Sequence, residues 1–238
     1  MHKKRTSSSN AVPKDTTELH ELCGADFRNT AQWRIFRIMA EFIDGIQFLY
    51  DLKKEVTFFG SARLEPSHRW YQEAQRLAVM LGEEGFTIVT GGGPGIMEAA
   101  NRGAHESGAV SVGLNIQLPH EQRTNGWVKK SIAFHYFFTR KFMLSASAQA
   151  YIFFPGGFGT LDEMLEMATL IQTGKMQRVP IVLVGKEYWE GLLDWMRTHM
   201  LADDMRTVGA DDFNIMQVVD TAAEAFKIVR KTKERPYF

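Results

Sequence analysis

From Glu55 onward, apolar strand-like runs alternate with helix-like stretches, and small residues gather where the runs end. No other feature constrains the fold as much. Consecutive strand–helix units close into a parallel sheet with helices on both faces. Residues 56–60, 86–90, 110–115, 132–137, 150–154 and 179–184 read as strands, with a short seventh near 214–218. Most of these runs are continuously apolar, as strands covered on both faces require. Helices are expected over 67–85, 95–108, 139–147, 160–173, 188–199 and 222–231. The fold class is therefore α/β: a Rossmann-like doubly wound parallel sheet forming one domain over residues 55–238.

Two segments precede that domain. Residues 1–17 are polar and read as a mobile tail. Residues 18–54 form a helical extension, in which Trp33, Phe36, Ile38, Met39, Phe42, Ile43, Ile46, Phe48 and Leu49 recur at three- and four-residue steps. A face this broad must pack on the domain or on another subunit. The basic start, Met1 to Arg5, leads into serines rather than an apolar stretch, so no secretory signal is expected. No run approaches the ~18 apolar residues that would span a bilayer. A cytoplasmic protein without a membrane partner is the reading.

Charge and metal-binding residues narrow the chemistry. Lys plus Arg number 28, and Asp plus Glu also number 28. That balance lacks the basic surplus of a duplex-DNA binder, so no nucleic-acid partner is expected. The single cysteine, Cys23, can form neither an intrachain disulfide nor a multi-cysteine metal site. The histidines, His2, His20, His68, His105, His120, His135 and His199, show no ligand spacing, so no metal is expected. His135, between Phe134 and Tyr136, reads as structural.

Three strand ends carry the informative loops: Gly60-Ser61-Ala62-Arg63, Gly91-Gly92-Gly93-Pro94-Gly95 and Pro155-Gly156-Gly157-Phe158-Gly159. In a doubly wound sheet, ligands bind outside the carboxyl ends of the strands. Glycine lets backbone approach a ligand, and the following helix presents free N–H groups to a phosphate. The candidate binding residues are Gly60, Ser61, Gly92, Gly93, Gly95, Met97, Gly156, Gly157, Gly159 and Thr160. A small-molecule nucleotide is the expected partner. Neither a G-x-G-x-x-G dinucleotide turn after the first strand nor a phosphate loop ending in G-K-[ST] is present, which weighs against NAD and ATP hydrolysis. The alternative is that these glycines merely turn the chain.

Two charged motifs accompany the loops. Thr160-Leu161-Asp162-Glu163 fits a helix capping box, with the threonine and glutamate each satisfying a free N–H. The functional alternative puts the Glu163 carboxylate at the mouth of the sheet. Asp162 then reads as a first-turn charge favoured by the helix dipole, and Glu166 as a supporting group. Arg140-Lys141 opens a helix, where cations oppose the dipole, so an anionic partner or a salt bridge is called for.

Taken together, Gly91-Gly92-Gly93-Pro94-Gly95-Ile96-Met97, Arg140-Lys141 and Pro155 through Glu163 resemble the Lonely Guy family, whose members are often labelled possible lysine decarboxylase. The resemblance covers roughly residues 56–184. It implies a Rossmann-like fold, a homodimer or larger homo-oligomer, and hydrolysis of a nucleoside 5′-monophosphate to free base and ribose 5-phosphate. Arg140 and Glu163 would be the catalytic pair. Gly156, Gly157, Gly159 and Thr160 would hold the 5′-phosphate, with Lys141 in support. No cofactor is implied. The decarboxylase label would need a Schiff-base lysine with a partner for the cofactor ring, and no motif marks one. The second glycine loop is one residue shorter than the G-G-G-x-x-G-x-M of the plant members. A carrier of a nucleotide-like cofactor on the same fold is the alternative function. An oligomeric scaffold built on the apolar helix is a third.

Overall fold

The computed structural model describes residues 30–117, 124–146, 148–202 and 204–235. The expected tail, Cys23 and the first residues of the helical extension lie outside these. The elements are α1 (Ala31–Tyr50), β1 (Glu55–Phe59), α2 (Arg69–Glu83), β2 (Thr87–Thr90), α3 (Ile96–Glu106), β3 (Ser111–Ile116) and β4 (Lys130–Phe134). They continue with α4 (Phe137–Ala146), β5 (Ala150–Phe153), α5 (Phe158–Gln172), β6 (Ile181–Val184) and α6 (Lys186–Met200). A 3₁₀ turn (Ala210–Ile215), β7 (Met216–Val219) and α7 (Ala222–Val229) complete the series.

All seven strands pair in parallel, in the order β4-β3-β2-β1-β5-β6-β7. The sheet thus grows outward from β1 to β4, then restarts on the other side of β1 with β5. A crevice opens at such a reversal, above the carboxyl ends of β1 and β5.

Successive strand residues feed opposite layers, as the pleat demands. Val56, Phe58, Ile88, Ala150, Ile152, Val182 and Val184 meet α2, α3 and α7. Phe59, Val89, Tyr151, Phe153, Ile181 and Leu183 meet α4, α5 and α6. Trp189 is fully buried in the second layer, and its indole N–H donates to Val184 O at 3.0 Å.

The described residues divide into two compact units, the boundary falling within α1 after Glu41. Before it, Thr30 caps the helix by accepting from Trp33 N, and Ile35, Phe36 and Met39 are exposed. After it, Leu49 is buried and Phe42 meets Phe142 of α4 edge to face at 5.2 Å.

Most elements fall within a few residues of the sequence reading, with two instructive departures. The expected strand 132–137 is instead β4, an edge strand in which Phe134 alone is buried, so no apolar run marks its bounds. The expected strand at 214–218 starts later, because Gly209 N–H donates to Asp212 and winds residues 210–215 into a 3₁₀ turn.

Helices α2 and α3 touch at Gly103, where a Cβ would meet the carbonyl oxygen of Gln75 and approach the Cβ of Ala78 at 2.8 Å. In an uncrowded helix interior, Gly→Ala would gain roughly 1 kcal/mol. Here Gly103→Ala should instead cost about 1–3 kcal/mol through overpacking. Urea denaturation reads the sign, and an unchanged or higher midpoint would show that these helices do not meet at Gly103.

Candidate active site

The three glycine loops are tied together through one residue. Ser61 N–H donates to Pro155 O at 3.0 Å, and Ser61 O accepts from Ile96 N at 3.0 Å. Ser61 Oγ accepts from Arg63 N and tightens its own loop. The loops after β1, β2 and β5 therefore hold each other at the crevice. They border a cavity of about 800 Å³. Of the candidate residues, Gly60, Ser61, Met97, Arg140, Gly156, Gly157, Gly159, Thr160 and Glu163 line it.

Gly92, Gly93 and Gly95 do not reach the cavity; they shape the turn behind it. Gly92 N donates to Thr90 Oγ1, Gly92 O accepts from Asn125 N, and Gly93 O accepts from the Asn125 side chain. Buried Asn101 completes this support, bonding Thr90, Ser111, Val112 and Asn125. Gly91 is the residue of this loop that does face the cavity, and its lack of a side chain leaves room for the Arg140 guanidinium. A Cβ there would collide with the Arg140 guanidinium and sit 2.9 Å from Met97 Sδ.

Arg140 is the fourth residue of α4, and its Nε donates to Leu114 O at 2.7 Å. Burial pulls its pKa below the ordinary value, and the nearby Glu163 charge pushes back. Arginine nevertheless stays cationic in proteins. Lys141 points elsewhere. It bridges Asp162 at 2.7 Å and Glu166 at 2.9 Å, and so pins α4 to α5. Burial lowers the Lys141 pKa, but these two carboxylates outweigh it and hold the ammonium above its usual value. Of the two readings of the Arg140-Lys141 pair, the salt bridge describes Lys141, while Arg140 faces the cavity with a backbone carbonyl as its hydrogen-bond partner.

The capping-box reading of Thr160 and Glu163 does not hold. Helix α5 starts at Phe158, with Gly157 as its N-cap and no side-chain cap, so both residues lie inside the helix. The same Thr-x-x-Glu pattern does cap α7: Thr221 accepts from Glu224 N, and the Glu224 carboxylate accepts from Asp220 N. Glu163 is instead 7% exposed, and its Oε2 has no hydrogen-bond partner among the described residues. Burial pushes its pKa up to about 7, with Lys141 opposing, Glu166 adding and Arg140 opposing. The helix that carries it starts uncapped. The N–H groups of Gly156, Gly157, Phe158 and Gly159 meet no acceptor among the described residues. Such a set suits an anion.

The cavity is also lined by residues that were not among the candidates, including Phe59, Arg63, Leu64, Phe137, Leu144 and Tyr188. Arg63 sits in a quoted glycine loop, and Tyr188 follows the end of β6, the next strand from the reversal. The position of β6 was the available signal. No cluster of His, Cys, Asp and Glu among the described residues could hold a metal ion. No helix among them is long and apolar enough to cross a membrane.

Residues 97–229 match the family described as possible lysine decarboxylase. Two Arabidopsis thaliana proteins, both named cytokinin riboside 5′-monophosphate phosphoribohydrolase, are similar along most of their length. LOG4 is 30% identical, covering 74% of this chain and 80% of its own. LOG7 is 31% identical, covering 76% and 82%. Among solved structures, the molybdenum cofactor carrier protein of Chlamydomonas reinhardtii aligns with a TM-score of 0.56 at 19% identity, covering 75% of this chain and 97% of its own. That likeness concerns the fold. The chain belongs to the possible lysine decarboxylase family, the Lonely Guy family of the sequence resemblance.

The raised Glu163 pKa has a consequence for stability. A carboxyl that binds its proton more tightly when folded takes one up between the ordinary value of 4.5 and about 7. Folding is then penalised above pH 7, and the penalty fades as pH falls toward 4.5. Glu163→Gln removes the charge, so it should stabilise the protein at pH 8 by up to roughly 3 kcal/mol and by little at pH 5. Denaturation at the two pH values checks this, and equal effects at both would mean that Glu163 titrates normally.

Proposed function

We propose that this protein hydrolyses the N-glycosidic bond of a nucleoside 5′-monophosphate, AMP or its N6-prenylated form, to free base and ribose 5-phosphate. The observation that carries this reading is the buried, unpartnered Glu163 carboxyl, on the wall of a cavity that also presents unused peptide N–H groups. The names of the plant relatives support the same reaction. The N–H groups at the start of α5 take the 5′-phosphate. Met97, Leu64 and Phe137 offer apolar surface for the base.

Cleaving the bond to C1′ leaves positive charge on the ribose. Ionised Glu163 faces that charge, and it also draws a proton from the water that attacks C1′. The departing base keeps the bonding electron pair, and the fixed Arg140 cation stabilises it; its proton comes from solvent. The protein works in the cytoplasm as a homodimer or larger homo-oligomer. Exposed Ile43, Ile46 and Tyr50 on α1 supply apolar surface for the contact.

Base release from AMP and from isopentenyladenosine 5′-monophosphate, followed by chromatography, tests the proposal. Glu163→Gln should lower kcat by roughly 10²–10⁴-fold while AMP still binds. Arg140→Ala and Gly91→Ala should both slow the reaction, the second by displacing the guanidinium. For the wild type, kcat/KM should rise as pH passes about 7, where Glu163 loses its proton. Adenosine, which lacks the phosphate, should react poorly. A folded wild type that binds AMP without releasing base would favour the carrier reading instead.

A further inference from the structure

Loop 155–159 places two glycines side by side, and the peptide joining Gly156 to Gly157 is flanked by glycine on both sides. With no Cβ on either neighbour, this plane turns over more easily than any other in the loop. Its two faces are not equivalent to an anion. A trans peptide directs its N–H opposite to its C=O, so one orientation offers the Gly157 N–H and the other offers a carbonyl oxygen. A carbonyl aimed at a phosphate dianion is repulsive, and the donor would be lost at the same time.

One side chain settles the orientation. The Tyr188 hydroxyl, from the first turn of α6, donates to Gly156 O. Tyr188 lines the same cavity, and its ring is held edge to face against buried Trp189 at 4.9 Å. The preceding plane is fixed independently, because Pro155 O accepts from Ser61 N. Gly157 O is likewise engaged, by Thr160 N and Leu161 N. The Gly156 carbonyl is therefore the one in this stretch held by a side chain from a distant element. We infer that Tyr188 is a positioning residue for the 5′-phosphate: it holds the Gly156–Gly157 peptide with its N–H available and its carbonyl turned away from the anion. The inference rests on the phosphate seat proposed above, and it adds a residue from outside the glycine loops.

Tyr188→Phe removes the hydroxyl and keeps the ring packing. It should raise KM and the calorimetric Kd for AMP by about 5- to 20-fold, the effect of losing one charge-assisted hydrogen bond. The kcat should stay within about twofold, and the slow reaction of adenosine should not change. A purely structural loss would depress kcat and adenosine turnover as well, which would overturn the inference, as would an unchanged KM. Should the variant unfold, the wild type provides the second measurement. Titration with inorganic phosphate should shift the Gly157 amide resonance, and an unmoved Gly157 amide with bound phosphate would overturn the inference. The two proposals fail separately. A wild type inert toward AMP sinks the hydrolase, whereas an active wild type with an indifferent Tyr188→Phe sinks the positioning role alone.

Discussion

The site depends on where β5 is placed. Had the sheet continued beyond β4, the loop after β5 would lie at an outer edge, far from the loop after β1. Restarting at β1 puts the two ends side by side, in register from Val56↔Ala150 to Phe59↔Phe153. The loops are then close enough for Ser61 to bond Pro155 on one side and Ile96 on the other. Every later feature of the cavity follows from that adjacency. The start of α5 becomes its floor, and α4 can bring Arg140 to its wall.

The two charged walls are built at different cost. Arg140 keeps a carbonyl partner, Leu114 O, and occupies the room that Gly91 leaves. Glu163 has no such relief for Oε2, and its raised pKa records the penalty. An exposed carboxylate at a helix start would be favoured by the dipole. A buried one in the second turn is not: it gives up water without gaining a hydrogen bond for Oε2.

Much of this was legible in the sequence, because a parallel sheet writes continuous apolar runs and glycine-rich ends. What the sequence concealed was where helices begin. Thr160-x-x-Glu163 and Thr221-x-x-Glu224 are the same pattern, yet only the second is a cap. The difference is that α5 starts two residues before its threonine, over a Gly-Phe-Gly stretch that looks like loop. Lys141 was equally ambiguous, since its partners lie on a helix that follows a whole strand later. Tyr188 was hidden for a different reason. It acts through a backbone oxygen more than thirty residues earlier in the chain, and no local spacing reports such a contact.

A phosphate seated on peptide N–H groups would rest on donors that neither gain nor lose charge across the physiological range. In that half of the cavity, any response to acidity would belong to the substrate, whose phosphate has its second ionisation near pH 6. Within the cavity, the protein's own response would sit at Glu163. Recognition and turnover would thus answer to two separate protons, one carried in by the substrate and one kept by the chain.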